Sequence, residues 1–480
     1  MYKQLKLKKM KLDIKKNHLK KGTLLVMMAI VLQSCFSAKE YSRPTLNETE
    51  NLYRTENLPT DSISLAAVSW KNLFTDQYLQ NYIAEGLAQN MDVRIALQQM
   101  IAAEAYAKQG KAGYLPSVSI GADVTHQELS ENSQFGDLFS GGIDTYEIAA
   151  NLSWEADIWG KIKSNVRATQ AAYLQNVAAH KAIKTQLIAS IANTYYNLLA
   201  LDAQLKVTQQ TIATRKSSVA TIKALKEAGQ VTQVAVDQNI AQYNSAQALA
   251  VDIETAIFKT ENTLSILLGK TPQHFERTAL DDQKITEEIV LGVPTLLLRN
   301  RPDVIAAEYG LIQSFELTNV ANSSFYPSLT LTASGGLQSL DVDDLFDTSS
   351  LFATIVGGIT QPIFNQRKLK TQKEVAIANQ ETALLNFKKT LLTAGNEVSN
   401  ALFTYESEVK KYEYRKNEVE ALRMAETNSE ELLKNGYANY LDLLTARQSA
   451  LSAELNVIDS KLQQLVAVVD LYEALGGGLQ

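Results

Sequence analysis

The chain has 480 residues, 45% of them hydrophobic, and its 46 Lys and Arg against 52 Asp and Glu give a formal net charge of −6. An acidic chain disfavours nucleic-acid binding, which requires a basic surface. The single cysteine excludes a disulfide within the chain and a metal site built from several thiolates. Beyond the N-terminus, no run of eighteen apolar residues predicts a membrane-spanning helix.

The N-terminus is predicted to be a cleaved secretion signal. Residues 1–21 carry nine lysines and one aspartate, and an apolar stretch too short to span a bilayer follows. A start at Met10 fits equally well. The stretch ends at Cys35 in a sequence that resembles a bacterial lipobox, which predicts a signal peptide at 1–34 and lipid attachment to Cys35. One acyl chain anchors weakly, so a second membrane element is expected; without residues 1–34 the net charge is −14.

Two segments of alternating apolar and polar residues predict β-strands at about 115–126 and 144–158. Both exceed the usual strand length and can cross a bilayer when tilted. Trp154 and Trp159 close the second strand, where an interfacial aromatic girdle is expected. A soluble sheet with one wet face is the alternative. The polar face carries four acids, expected to favour cations in a pore: Asp123, Glu147, Glu155 and Asp157.

A very long helix is predicted at 160–228, because the chain from 161 to 228 contains neither Pro nor Gly. At 1.5 Å per residue it is about 100 Å long. Gly229 is predicted to end this helix in the left-handed conformation. Thr232 is predicted to cap the next helix.

The same order of elements recurs about 210 residues later, which indicates an internal duplication. Gly229–Thr232 corresponds to Gly436–Asn439, so Gly436 and Asn439 repeat the predicted turn and cap. The second half also carries strands at about 327–337 and 350–363 and a long helix at 366–435. The segments are therefore a lipidated N-terminal segment at 35–75, repeats at 76–268 and 294–475, a linker at 269–293 and a tail at 476–480.

Four strands cannot close a membrane barrel, because the smallest such barrels have eight strands. An open edge in lipid leaves backbone groups without hydrogen bonds, so other copies of the chain must complete the barrel. Three copies, with four strands each, are the simplest solution. Apolar residues at heptad spacing from Leu451 to Tyr472 predict coiled-coil packing. The predicted fold is mixed α and transmembrane β: a trimeric twelve-stranded barrel continued by a barrel of long coiled-coil helices.

Three motifs resemble those of the lipoprotein outer-membrane efflux factors, relatives of the TolC-type channel. They lie at Trp154–Lys161, Val293–Val304 and Val469–Gly478, and the resemblance covers essentially the whole mature chain. It implies a TolC-like homotrimer in the outer membrane of a Gram-negative bacterium, extending into the periplasm. The implied partners are outer-membrane lipid, a periplasmic adaptor (membrane fusion) protein and an inner-membrane transporter of the resistance-nodulation-division type.

The resemblance also implies a gate at the periplasmic helix tips. The family pattern N-Y-L-x-x-L-D-A corresponds to Asn439–Ala446. Leu441 matches the gating leucine, Thr445 replaces the acid, and Asp442 lies three positions earlier; these three residues form the expected gate. Adaptor docking is expected at the hairpin tips, marked by Gly229, Thr232, Gly436 and Asn439.

The chain is interpreted as a passive exit duct for small molecules such as drugs, not as an enzyme. It contains no paired-histidine helix, glycine-rich phosphate loop or nucleophile elbow. No catalytic or metal-binding residue is therefore predicted, and no cofactor beyond the covalent lipid on Cys35. Two alternatives stay open: the outer-membrane duct of a type I protein secretion system, and a lipid-anchored periplasmic adaptor without a pore.

Overall fold

The computed structural model describes residues 38–45, 52, 68–130, 132, 142–283 and 300–478. These residues form two compact units. The first, called the sheet unit, contains residues 38–43, Glu104–Ala172 and Leu311–Thr382; the second, called the helical unit, contains the other described residues. Cys35 and residues 284–293 of the predicted linker lie outside the described residues.

The last five helices and strands of the first half recur in the same order in the second half, as far as the structure describes it. The first half contains α1 (Trp70–Leu73), α2 (Gln77–Gln89), α3 (Met91–Ala112), β1 (Ser117–Gln127), β2 (Ile143–Ala156), α4 (Lys161–Glu227) and α5 (Gln233–Leu267). The second contains α6 (Pro302–Ser323), β3 (Ser328–Ser339), β4 (Leu351–Thr360), α7 (Lys368–Lys434) and α8 (Tyr440–Ala474). Helices α4 and α7 both have 67 residues, α5 and α8 both have 35, and α3 and α6 both have 22. Equal lengths in three pairs indicate that one design was used twice.

The four strands form one antiparallel sheet in the order β1-β2-β3-β4. The register places the predicted apolar sets of all four strands on one face, because Val118 pairs with Leu152, Leu152 with Ala333 and Ala333 with Ile355. β1 and β4 are the two edges of the sheet within the part of the chain that the structure describes.

Two strands end earlier than the alternating pattern predicts. β2 ends at Ala156, two residues early, because Asp157 turns back and accepts the N–H groups of Ile162 (2.9 Å) and Lys163 (2.7 Å) in the first turn of α4. β4 ends at Thr360 instead of residue 363, since Pro362 has no N–H with which to extend the ladder.

The helical unit is held together by long apolar seams. Of the seven predicted seam positions along α8, five are buried and Leu455 and Ile458 are half-buried; the buried ones are Leu451, Leu462, Leu465, Val469 and Tyr472. Tyr195 of α4 and Phe387 of α7 are also fully buried. Among the described residues, no helix is both long and apolar enough to cross a membrane.

Candidate gate at the helix tips and candidate lumen face

Both helix hairpins turn at a glycine in the left-handed conformation. The φ angle is 72° at Gly229 and 76° at Gly436. Gly229 and the residue after it donate their N–H groups to the carbonyls of Lys226 and Leu225, each at 2.9 Å, and the second hairpin repeats this pair of bonds. A Cβ at either glycine would meet no atom within 4 Å, so backbone conformation and not space requires glycine.

The two hairpins differ at the start of the returning helix. Asn439 and Asp442 form a reciprocal capping box: Asn439 Oδ1 accepts the N–H of Asp442 (3.1 Å), and Asp442 Oδ2 accepts the N–H of Asn439 (3.3 Å). Thr232 stands at the N-cap position of α5, but its side chain makes no capping hydrogen bond. Both residues thus occupy the predicted N-cap position, but only Asn439 makes a side-chain capping bond.

The three predicted gate residues have different environments. Leu441 is 56% exposed, and Thr445, one helical turn later on the same face, is also exposed. Asp442 is occupied by the capping box, so its carboxylate stabilises the hairpin. The gate at Leu441, Asp442 and Thr445 stays a prediction, and Asp442, which is also exposed, serves the capping box in addition.

An apolar cluster lies beneath the tips and joins the two hairpins. Tyr440 and Leu443 of the second hairpin pack with Ile222 and Val236 of the first. A groove of about 750 Å³ between the hairpins borders this cluster and is also lined by Arg447.

Near the tips, three hydrogen bonds cross from one hairpin to the other. The Tyr440 hydroxyl donates to Asn239 Oδ1. Arg447 donates to Ser218 Oγ at 2.5 Å, and Arg215 donates to Gln448 Oε1 at 2.7 Å. Arg447 also donates a hydrogen bond to Glu430 (3.0 Å) within its own hairpin. The hydrogen bond from Lys434, together with the positive charge of Arg447, keeps the pKa of Glu430 below its usual value.

The sequence analysis missed this crossing network. A signal for Arg447 was present, because it lies four residues after Leu443 and four before Leu451, and both leucines are buried. A charged residue at a core position of a helix indicates a buried polar partner. Nothing in the sequence identifies that partner as Ser218, which lies 229 positions away.

The polar face of the sheet holds fewer free acids than the sequence predicts. Asp123 and Glu147 are register partners, and Glu147 accepts a bond from the neighbouring Gln338 (2.9 Å). Glu155 is paired with Lys161 at 2.9 Å. Asp157 lies outside β2 and binds the first turn of α4. Asp157 therefore does not belong to the polar face of the sheet, and Lys161 offsets the charge of Glu155; the preference for cations stays a prediction.

The apolar face is strongly exposed in the single chain. Val118, Ile120 and Ile355 are 63–79% exposed, and an apolar patch of this kind marks a protein or membrane contact. Trp154 borders it, with its indole N–H donated to the carbonyl of Tyr114 (2.9 Å). Trp159 follows the strand, donates to the carbonyl of Pro327 (2.7 Å) and stacks on Tyr326. Trp159 thus ties the strand-to-helix turn to the start of β3.

No group of three or more His, Cys, Asp or Glu side chains in the described ranges has the arrangement needed to hold a metal ion. The arrangement as a whole is a sheet with one apolar and one polar face, together with long paired helices that end in two linked hairpins.

Comparison with known proteins accounts for this arrangement. The model of the outer membrane efflux protein family matches residues 82–270 and 293–477. The chain is 25% identical over 458 residues to the cation efflux system protein CusC of Escherichia coli, covering 94% of this chain and 98% of that protein. It is 27% identical over 467 residues to the outer membrane protein OprJ of Pseudomonas aeruginosa, covering 95% and 96%.

Solved structures agree with the sequence relatives. A membrane protein from Pseudomonas aeruginosa has a TM-score of 0.83 at 26% identity, covering 92% of this chain and all of that one. The open state of the MtrE outer membrane channel of Neisseria gonorrhoeae has a TM-score of 0.82 at 26% identity, covering 93% and 99%. The predicted TolC-like fold class and outer-membrane location are thereby confirmed, and the chain belongs to the outer membrane efflux protein family.

Proposed function

We propose that three copies of this chain form the passive outlet of a tripartite efflux pump for small molecules. Each copy is anchored by a lipid on Cys35 and by its four strands. A periplasmic adaptor protein docks at the hairpin tips, and an inner-membrane transporter of the resistance-nodulation-division type supplies the cargo. The duct carries out no chemistry and needs no cofactor besides the lipid.

The observation that carries the proposal is a four-stranded sheet with an apolar outer face and two edges. In lipid, the N–H and C=O groups of an edge strand have no partner, which costs several kcal/mol per group. Closing β1 of one copy on β4 of the next removes every edge. Three copies give twelve strands, which exceeds the minimum of eight for a membrane barrel.

Exposed apolar side chains in the helical unit support the same assembly. α5 is hydrogen-bonded to α4 and α8, and α7 to α8. α5 and α7 each carry an exposed apolar stripe on one helical face. The stripes are Val251, Phe258 and Ile266 on α5, and Leu385, Leu392, Phe403 and Tyr414 on α7.

The proposed gate lies at the tips of the two helix hairpins. Leu441 and Thr445 of the three copies would face one another in the closed state, and the hydrogen bonds that cross between hairpins hold the tips in place. The adaptor opens the gate by separating the two hairpins, which breaks those bonds.

The assembly is tested with full-length protein purified in detergent and two matched aspartate substitutions on β1. Ile120→Asp places a charge on the apolar face, and Ser119→Asp places the same charge on the polar face. Light scattering should report three chains for the wild type and for Ser119→Asp, and both should conduct in planar bilayers. Ile120→Asp should fail to insert, since a charge on the lipid face is costly.

A monomeric, non-conducting wild type would overturn the proposal. Equal insertion by both aspartate variants would show that the face assigned to lipid is wrong. Mass spectrometry of the mature N-terminus tests the lipid separately, because Cys35→Ser should abolish the acyl mass.

A further inference from the structure

The end of α8 is fastened to the start of α6 through one buried arginine. Arg301 is 7% exposed and binds both oxygens of Asp303 (3.0 and 2.5 Å), Glu397 of α7 (2.6 Å) and the carbonyl of Ala474 (3.0 Å). A single guanidinium thereby joins three helices.

The backbone packing at this junction is tight. Gly476, just after α8, has a φ of 88°, and a Cβ there would lie 2.6 Å from the carbonyl oxygen of Asn300. The end of α8 therefore lies directly against the residues that precede α6. Electrostatic repulsion between side chains inside the junction would therefore act against the contact between Gly476 and Asn300.

A cavity of about 490 Å³ adjoins Arg301 and is lined by four carboxylates and no second cation among the described residues. The carboxylates are Asp303, Glu397, Asp470 and Glu473. When all four are ionised, the lining carries a net charge of −3. Asp303 and Glu397 are bonded to Arg301, and Asp470 accepts a bond from Asn193 (3.0 Å).

Glu473 is the carboxylate with the strongest reason to bind a proton. Burial, followed by the charges of Asp470 and Glu397, raises its pKa to about 7, while Arg301 opposes the rise. Asp303, at the start of α6, makes a smaller contribution to the same rise. The side chains that α4 contributes to the lining are neutral: Ala182, Thr185 and Gln186.

We propose that Glu473 is a proton-responsive switch that fastens the end of α8 to α6 and α7 when it is protonated and loosens this junction when it is ionised. Protonation removes one negative charge from the cavity and supplies an O–H donor for a neighbouring carboxylate oxygen. Ionisation restores repulsion among carboxylates that share one arginine.

The direction of the pH effect follows from the raised pKa. The stability that protonated Glu473 contributes is complete below pH 4.5, the ordinary pKa of glutamate, and is lost as the pH rises through about 7. The junction is therefore firmer at pH 5 than at pH 8. This inference goes beyond the proposed function and is independent of it, because it concerns folding stability and not conduction.

The experiment measures thermal unfolding of the full-length protein in detergent from pH 5 to pH 8.5. Glu473→Gln mimics the protonated form, and Glu254→Gln, at an exposed position of α5 in the same unit, is the matched control. The wild type and the control should lose on the order of 2–5 °C in Tm between pH 5.5 and 8. Glu473→Gln should lose less and should be the most stable of the three at pH 8.

Hydrogen exchange of the wild type, corrected for the intrinsic pH dependence of exchange, provides a measurement without a substitution. Peptides from the end of α8 should lose protection between pH 5.5 and 8, while peptides from the start of α8 should not. The proposal is overturned if Glu473→Gln keeps the wild-type pH profile, or if protection at the end of α8 is the same at both pH values.

Discussion

The two halves of the chain share a backbone plan but not the chemistry of their tips. Corresponding helices have equal lengths, and both hairpins turn at a left-handed glycine. At the offset of 207 residues, Arg447 of the second tip corresponds to Ile240 of the first, and Asn439 corresponds to Thr232. The bonds that link the hairpins join non-equivalent positions, such as Arg447 with Ser218. The shared helices and turns therefore come from the duplication, whereas the hydrogen bonds that link the two hairpins of one chain come from positions at which the halves have diverged.

A second difference lies where strands pass into the long helices. The first half uses Gly160, with a φ of 71°, before α4. The second half uses Gln366 and Arg367, with φ of 56° and 66°, before α7. Left-handed conformations strain residues that have a Cβ, so the same turn is relaxed in one half and strained in the other.

The largest expected effect is from Arg447→Ala, which removes the bond to Ser218 and the pairs with Glu430 and Glu426. Bonds to charged groups contribute about 1.5–3 kcal/mol, so the open state should gain roughly tenfold or more in planar bilayers. Arg423→Ala is the matched control, because Arg423 pairs with Glu426 and Glu454 inside one hairpin. Equal open probabilities for the two variants would contradict a lock between hairpins.

Leu441→Ser tests whether the gate is confined to the second tip. Removing the exposed leucine should raise the resting conductance severalfold, because a hydrophobic constriction that excludes water is lost. Val234→Ser, at the corresponding position of the first tip and similarly exposed, should have a smaller effect. A larger effect from Val234→Ser would move the gate to the first hairpin.

Replacing the strained residues should make the second turn resemble the first. Gln366→Gly should stabilise the protein by about 1 kcal/mol, since glycine relieves the left-handed strain. Arg367→Gly should stabilise it less, because it also removes the ion pair with Glu374 (2.8 Å). Gly160→Gln should destabilise it by a comparable amount. Urea unfolding of the three variants checks the opposite signs, and a loss of stability in either glycine variant would argue against strain at this turn.

Alanine substitutions at the two N-cap residues should reduce stability by unequal amounts. Asn439→Ala should cost about 1 kcal/mol, because it removes half of a capping box. Thr232→Ala should cost much less, since the Thr232 side chain makes no capping bond. Hydrogen exchange in the first turns of α8 and α5 measures both effects. Equal losses of protection would show that the caps are equivalent.

The smallest expected effect concerns ion selectivity. Glu147→Gln should reduce the preference for cations, because Glu147 is an acid on the polar face bonded only to a neutral amide among the described residues. Glu155→Gln should change selectivity less, since Lys161 already offsets its charge. Reversal potentials in a salt gradient measure the difference, and the reverse ranking would place Glu155 in the open lumen.

The local features of this chain were readable from its sequence. Alternating residues predicted four strands, long stretches without Pro and with no Gly besides Gly395 predicted helices at 160–228 and 366–435, which the structure gives 67 residues each, and Gly229 and Gly436 predicted the turns. Each depends on backbone preferences and on periods of 2 or 3.6 residues, which neighbouring residues determine. The duplication and the family motifs then limited the fold to one architecture.

The tertiary structure decided the roles of individual polar side chains. Asp157 continues the alternating pattern of β2, yet it caps α4, because the chain turns at Ala156 and brings two N–H groups within reach. Arg301 lies within the motif Val293–Val304, but its bonds to Glu397 and Ala474 and its place beside Glu473 depend on how the ends of α7 and α8 pack. The bonds of Arg301 to Glu397 and Ala474 join residues 96 and 173 positions apart. The free energy that selects them arises only when helices pack and exclude water, and no local pattern records it.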